Sequence, residues 1–193
     1  MRKICLLVTV LALVAGCATV NLDKGIAGES CTNRQSCIKA LNLPNPTNPT
    51  YTFAIAPYPV KARFKNAVGM ALPWFPPYKG NIDICLANAF KTQFPAARIM
   101  LSKDRPIDGN AIFVYGFKNF EIEQGWVYAA KKSSFSGSVR IGSRAYPIDA
   151  AGWSGFMVAG HIASAAEDAC MDFAKKAKKL LLIETHEAKT AKN

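Results

Sequence analysis

The sequence predicts an α+β domain in which a mostly antiparallel sheet carries two helices on one face. Three observations predict it. Apolar residues recur at intervals of three and four over residues 83–94 and again over 162–181, the period of amphipathic helices. Residues 111–123 read as one long strand, and Gly142–Ser143 is a tight-turn signal joining strand-like runs at 133–141 and 144–150 into a hairpin. The 193 residues are 50% hydrophobic and 19% charged, which suits one core and excludes both two large domains and wholesale disorder.

The chain opens with Met1, Arg2 and Lys3, a short positive region, followed by the apolar run ICLLVTVLALVA over residues 4–15. This is signal-peptide anatomy, and it is too short for a span of hydrocarbon, which takes about 20 apolar residues. Val14–Ala15–Gly16–Cys17 resembles the bacterial lipobox, in which the cysteine thiol is diacylglyceryl-modified, the chain is cut before it and the new amine is acylated. The resemblance implies a cleaved signal peptide over 1–16 and lipidation at Cys17. It also implies anchoring in outer-membrane lipid on the periplasmic face, because Ala18 stands where an inner-membrane retention signal would have Asp. Acyl chains hold firmly, since each buried methylene contributes about 0.8 kcal/mol. The competing readings are an uncleaved anchor and an ordinary secretory signal. Residues 17–50 end in LPNPTNPT, where Pro44, Pro46 and Pro49 favour extended backbone, and they form the expected tether.

Without Arg2 and Lys3 the chain has 22 Lys+Arg against 13 Asp+Glu, so it is strongly basic, at about +9. Lys175, Lys176, Lys178, Lys179, Lys189 and Lys192 gather toward the C-terminus. That balance suits anionic lipid headgroups, lipopolysaccharide phosphates or an acidic protein, and no nucleic acid is expected. The same lysines also read as a solvated helix face with a basic tail. Of six cysteines, Cys5 leaves with the signal and Cys17 is consumed by lipid. Cys31, Cys37, Cys85 and Cys170 remain, with three formal pairings. Cys31 and Cys37 enclose a short polar loop that can close on itself, which leaves Cys85 with Cys170. Both of the latter fall on apolar helix stripes, and two helices side by side would bring them together. A chain-entropy estimate gives roughly 2 kcal/mol for the short loop and about 4.5 kcal/mol for the long one. Metal binding is not expected, because there is no CxxC pair and only His161 and His186 could assist.

The folded body is expected over 51–183, with 184–193 a polar, fraying tail. YTFAIA at 51–56 is a strand stopped by Pro57 and Pro59. In the long connection that follows, Trp74, Phe75 and Tyr78 sit among Pro73, Pro76 and Pro77 in a stiff loop. The first helix places Ile82, Cys85, Leu86, Ala89, Phe90 and Phe94 on one face and exits at Pro95. A short strand at 98–101 precedes the turn chemistry of 104–110. The strand at 111–123 is apolar on both sides until Gly116 and alternates after it. Residues 126–130 read as a further strand, and GWSGFMVAG at 152–160 as a flexible apolar turn. In the last helix Ile162, Ala166, Ala169, Cys170, Phe173, Ala177 and Leu180 make a stripe dominated by small residues, which lets a helix lie close on a sheet. Asp83 and the pair Glu167, Asp168 read as first-turn or solvent-face charges.

The segments YTFAIAP, LANAFKTQF, DGNAIFVYGFKNFEIE and AAEDACMDFAKKAKKLL, in that order behind a lipobox, resemble the small α+β periplasmic lipoproteins. These are grouped with ABC-transport auxiliary components, lipopolysaccharide-assembly lipoproteins and the amino-terminal domain of TolB. The resemblance implies an accessory role beside a transport or assembly machine, binding an envelope protein partner or a lipid-like ligand. No GxSxG, HExxH, P-loop or GxGxxG pattern occurs, so no catalytic residue and no cofactor is expected. Ser154 in GWSGF lacks the second glycine of a nucleophile elbow and reads as a turn serine, and His161 as a capping or surface residue. Candidate contacts for partner or lipid are Trp74, Phe75 and Tyr78 in the proline loop, and Phe156 and Met157 beside glycines; packing against the core is the competing role for both groups. The alternative functions are a cell-wall-associated enzyme or inhibitor, and a surface-exposed structural lipoprotein.

Overall fold

The computed structural model describes residues 20–21, 49–62, 64–66, 78–102, 111–124, 131–154 and 160–190. Among them the order is β1 (Val20–Asn21), β2 (Thr52–Ile55), β3 (Pro59–Ala62), β4 (Phe64–Asn66), β5 (Tyr78–Asn81), α1 (Ile82–Gln93), β6 (Arg98–Leu101), β7 (Ile112–Gln124), β8 (Lys131–Ile141), β9 (Arg144–Ser154) and α2 (Gly160–Thr190). The α+β class is as the sequence predicts.

The main sheet runs β6-β2-β7-β8-β9, with β4 also on β7. Its longest ladders are the antiparallel ones, β7 with β8 and β8 with β9. The short strands join in parallel. β2 pairs with β6 on one side and with Ile112–Val114 of β7 on the other, and β4 takes the far end of the same β7 edge. The chain passes from β2 to β6 through α1, as a parallel neighbour requires, since a hairpin cannot join parallel strands. A smaller sheet, β1-β5-β3, forms within stretches that the sequence reads as tether and loop. Pro59, expected only to stop a strand, opens β3, where a first position needs no ladder donor.

β7 is bent twice. Its register with β8 slips between Tyr115 and Lys118 and again between Lys118 and Glu121, and each slip inserts one extra residue. Gly116 (φ 68°) and Asn119 (φ 57°) supply the left-handed backbone at the two bulges. The bulges bring Phe117 in against the core, where its ring lies 6.0 Å from Phe173 and 6.3 Å from Phe135. Gly137 leaves room for this cluster, since a Cβ there would lie 2.7 Å from the Phe117 ring.

Both helices share one apolar cluster with the sheet. Phe53 faces Phe90 at 4.7 Å, Phe90 meets Phe173 at 6.4 Å, and Phe173 stacks on Phe135 at 5.6 Å, so one aromatic chain links β2, α1, α2 and β8. The face expected for α1 is buried throughout. Burial goes further than the stripe: Ile82 through Ala87 are all buried, Asp83 among them, so of the two roles expected for Asp83 the first-turn charge holds and the solvent-face one does not. A first turn enclosed on every side has no solvent face.

The boundaries differ most from the expectation at β9 and α2. β9 continues through Gly152 and Trp153 to Ser154, where the sequence reads a flexible turn. The reason is Gly152, whose missing side chain lets α2 lie directly on the strand. A Cβ there would stand 2.2 Å from the Ala169 nitrogen and 2.3 Å from the Ala165 oxygen. α2 begins at Gly160, ahead of the expected start, and runs on to Thr190, where a fraying tail was expected. Its end is held to the β8–β9 hairpin: Arg144 Nη1 donates to Glu184 Oε1 at 3.1 Å, and the Tyr146 hydroxyl donates to the same oxygen. Leu181 is buried in place of Leu180, which is partly so. The expected strand at 126–130 lies outside the described residues.

Gly152→Ala should destabilise the fold by about 3 kcal/mol or more, at the upper end of overpacking costs, because the obstacle is helix backbone and cannot rotate away. A shift in the urea midpoint measures it, with Ala151→Gly on the neighbouring position as the mild control.

Candidate functional site

Cys85 and Cys170 form a disulfide with Cα atoms 6.1 Å apart, the pairing the sequence predicts. It forms because Cys85 lies on the α1 face turned to α2, and Cys170 lies on the Ala165, Ala166, Ala169, Phe173 stripe. Small residues around it let the two helices approach. Both cysteines are buried, and the bridge ties the helices together across 85 residues of sequence.

Directly beside the disulfide is a cleft of about 170 Å³, lined by Cys85, Asn88, Ala89 and Thr92 of α1 and by Glu167 and Met171 of α2. The Gln93 side-chain amide donates to the Met171 sulfur at 3.2 Å at one end. Burial pushes the Glu167 carboxyl above its ordinary value, and the neighbouring Asp168 adds to the effect. Glu167 is therefore half-buried in a cleft wall, where the sequence reads a solvent-face charge; Asp168 is exposed as expected. An i,i+1 pair points in two directions on a helix, and only tertiary packing decides which of the two is enclosed. The cleft offers a carboxyl, a carboxamide, a hydroxyl and a thioether. It is smaller than the roughly 300–1,000 Å³ that whole drug-sized ligands occupy, so it suits one chemical group or one side chain.

The opposite face of the meander has a different chemistry. Along β8, Ser133, Phe135, Gly137 and Val139 are buried toward the helices, while Lys132, Ser134, Ser136, Ser138 and Arg140 alternate with them. Arg140 lies 5.0 Å over the Tyr115 ring and donates to its hydroxyl at 2.8 Å, and Tyr115 stacks on Phe113 at 4.9 Å. Farther along, Lys132 sits 5.6 Å from the ring of Trp153, which is 58% exposed. Cations held over aromatic rings share this polar face with Glu123 opposite Lys132, Glu121 opposite Ser134 and Asp149 opposite Ser136, so both signs of charge are present on it. The run KKSSFSGSVR carries the signal, a period-two serine row between cations, which a reading of the strand for its core passes over.

Among the other sequence-predicted residues, Tyr78 opens β5. Cys17, Cys31, Cys37, Trp74, Phe75, Phe156 and Met157 lie outside the described residues. Ser154 ends β9 and His161 lies in the first turn of α2. Among the described residues no group of three or more His, Cys, Asp or Glu could hold a metal ion, and no helix is long and apolar enough to cross a membrane.

Two outcomes follow from the seam between the helices. Replacing Cys85 and Cys170 by Ala should cost about 4.5 kcal/mol by chain entropy, read as a fall in the denaturation midpoint. Reductant should lower the wild-type midpoint by that much more than the variant's, in which only the expected Cys31–Cys37 loop is left to open. Glu167, with its folded pKa raised, contributes stability that is present below its unfolded value and lost as pH rises through the folded one. Glu167→Gln should therefore be more stable than the wild type at neutral pH and equal to it below the carboxylate range, in paired thermal melts.

No family model matches the sequence, and neither does any curated protein. Solved structures do. One is described only as an uncharacterized protein; it is 6% identical, with 68% of this chain and 90% of that one covered at a TM-score of 0.43. Another is a protein from Xanthomonas campestris assigned to the family model DUF330, 12% identical, with 76% of this chain and 94% of that one covered at a TM-score of 0.45.

Proposed function

We propose that this chain is a lipid-anchored, non-enzymatic protein of the bacterial envelope, an accessory binding component of a transport or assembly system at the outer membrane. One observation carries the reading: Val14–Ala15–Gly16–Cys17 directly after a short positive region and a twelve-residue apolar run. The buried Cys85–Cys170 disulfide supports it, because such bridges form and persist in oxidising compartments such as the periplasm. The surfaces support the binding part. A cleft of about 170 Å³ and a sheet face of Ser, Lys, Arg and exposed Trp153 suit contact with another molecule's surface better than engulfment of a whole ligand.

Mass spectrometry of the mature protein tests the anchor. An acylated Cys17 as first residue is the expected result, and an unmodified chain, or one beginning elsewhere, overturns it. Crosslinking and pull-down from membranes tests the accessory role, with Trp74→Ala/Phe75→Ala for comparison. Recovery of an envelope transport or assembly complex, weakened in the variant, is expected. Co-purified lipid without a stable protein partner would count against an accessory component.

A further inference from the structure

α2 has four lysines in the two turns after Phe173, and the structure separates them into two kinds. Lys176 is tied to the protein: its ammonium donates to the Asp149 carbonyl at 2.7 Å and pairs with Asp172 at 2.7 Å. Lys178 is tied as well, donating to the Gln93 carbonyl at 3.2 Å and lying 5.7 Å from the Phe94 ring. Lys175 and Lys179 are exposed and have neither a hydrogen-bond nor an ion-pair partner among the described residues. Both fall in line with Leu182 and Ile183, at i, i+4, i+7 and i+8, so the four side chains form a single stripe on the outer face of the helix.

Leu182 and Ile183 are 58% and 54% exposed, and with Trp153 they are the large hydrophobic residues the fold leaves open among the described residues. The stripe is held straight on the body, since Glu184 is bound by Arg144 and Tyr146 one residue farther on. Among the described side chains the nearby acidic groups are engaged or remote: Asp172 pairs with Lys176, Glu184 with Arg144, and Asp168 lies two turns away from Lys175 toward the N-terminus.

We infer that Lys175, Lys179, Leu182 and Ile183 form a contact surface for a bilayer carrying anionic headgroups, the two ammonium groups meeting phosphates and the two aliphatic side chains entering the interface. The chemistry selects a bilayer over a protein. Protein interfaces draw their energy from Trp, Tyr and Arg in pockets and are depleted in Lys. A convex helix bearing a straight row of lysines beside Leu and Ile has the make-up of a helix lying on a membrane surface. The overall basic balance of the chain favours the same partner. The inference uses the anchored reading only to place a membrane within reach, and it deepens that reading by saying which side of the body meets the lipid.

The test uses the processed protein mixed with phosphatidylcholine vesicles and with vesicles containing phosphatidylglycerol. Flotation with both kinds reports the acyl anchor. Lysine labelling by a membrane-impermeant acylating reagent, read by mass spectrometry, reports the stripe. In the anionic vesicles labelling of Lys175 and Lys179 should fall several-fold, while Lys118, exposed on the other side of the sheet, keeps its reactivity. Leu182→Ser/Ile183→Ser should remove most of the protection, and so should salt high enough to screen headgroup charge. Equal labelling of Lys175 and Lys179 in the two kinds of vesicle overturns the inference whatever the flotation shows, and so does protection that persists in the double serine variant. A protein that floats with neither kind overturns the anchor and leaves the labelling comparison to decide the stripe.

Discussion

The close approach of α2 to β9 at Gly152 is the contact on which the rest of the domain depends. Backbone meets backbone there, with Ala165 and Ala169 on the helix side and no side chain on the strand side. That spacing fixes how deep α2 sits. At that depth Phe173 reaches the rings of Phe135, Phe117 and Phe90, and Cys170 comes level with Cys85. A helix lifted by one methyl group would loosen the aromatic cluster and separate the sulfurs together. The disulfide therefore reinforces a geometry that small residues have already set.

The same placement manages the sheet's edge. β9 is a long terminal strand, and a long strand with unpaired amides and carbonyls invites further pairing. α2 runs beside it and reaches down with two side chains. Asp172 accepts the Ala151 amide at 3.1 Å, and Lys176 donates to the Asp149 carbonyl at 2.7 Å. Pro147 has no amide to offer in the same strand. The Asp172–Lys176 pair, an i,i+4 ion pair worth little as surface electrostatics, has its main effect in occupying the groups to which another strand would bond.

Periodicity made α1, α2, the β8–β9 hairpin and the partner of Cys85 legible in the sequence, because each depends on one face of one element. What stayed hidden depends on pairs of elements. The bulges at Gly116 and Asn119 are set by the register of β7 against β8, and a strand read alone shows only that its alternation changes at Gly116. Gly152 resembles a turn residue until a helix is placed over it. Where α2 passes its expected end, Glu184 meets Arg144 and Tyr146, contacts across 40 and 38 residues that leave the local sequence merely polar. Of the candidate surfaces, the serine row on β8 was present as a pattern. The cleft beside the disulfide was not, since Glu167 and Thr92 become neighbours only when α1 and α2 are joined.

α2 thus carries a separate task on each of its sides. Its alanines press on β9, Cys170 and Met171 face α1, and Asp172 with Lys176 covers the strand edge. Each of these sides explains the residues on it by a contact within the domain. Lys175, Lys179, Leu182 and Ile183 are left over: two aliphatic side chains in water cost solubility, and two ammonium groups without a hydrogen-bond or ion-pair partner among the described residues add to the self-repulsion of a basic chain. Lysine alone is ordinary on a solvated helix face, and what sets this face apart is Leu182 and Ile183 standing exposed in line with it. Cationic and apolar residues there are explained by a surface that is itself anionic above and apolar below.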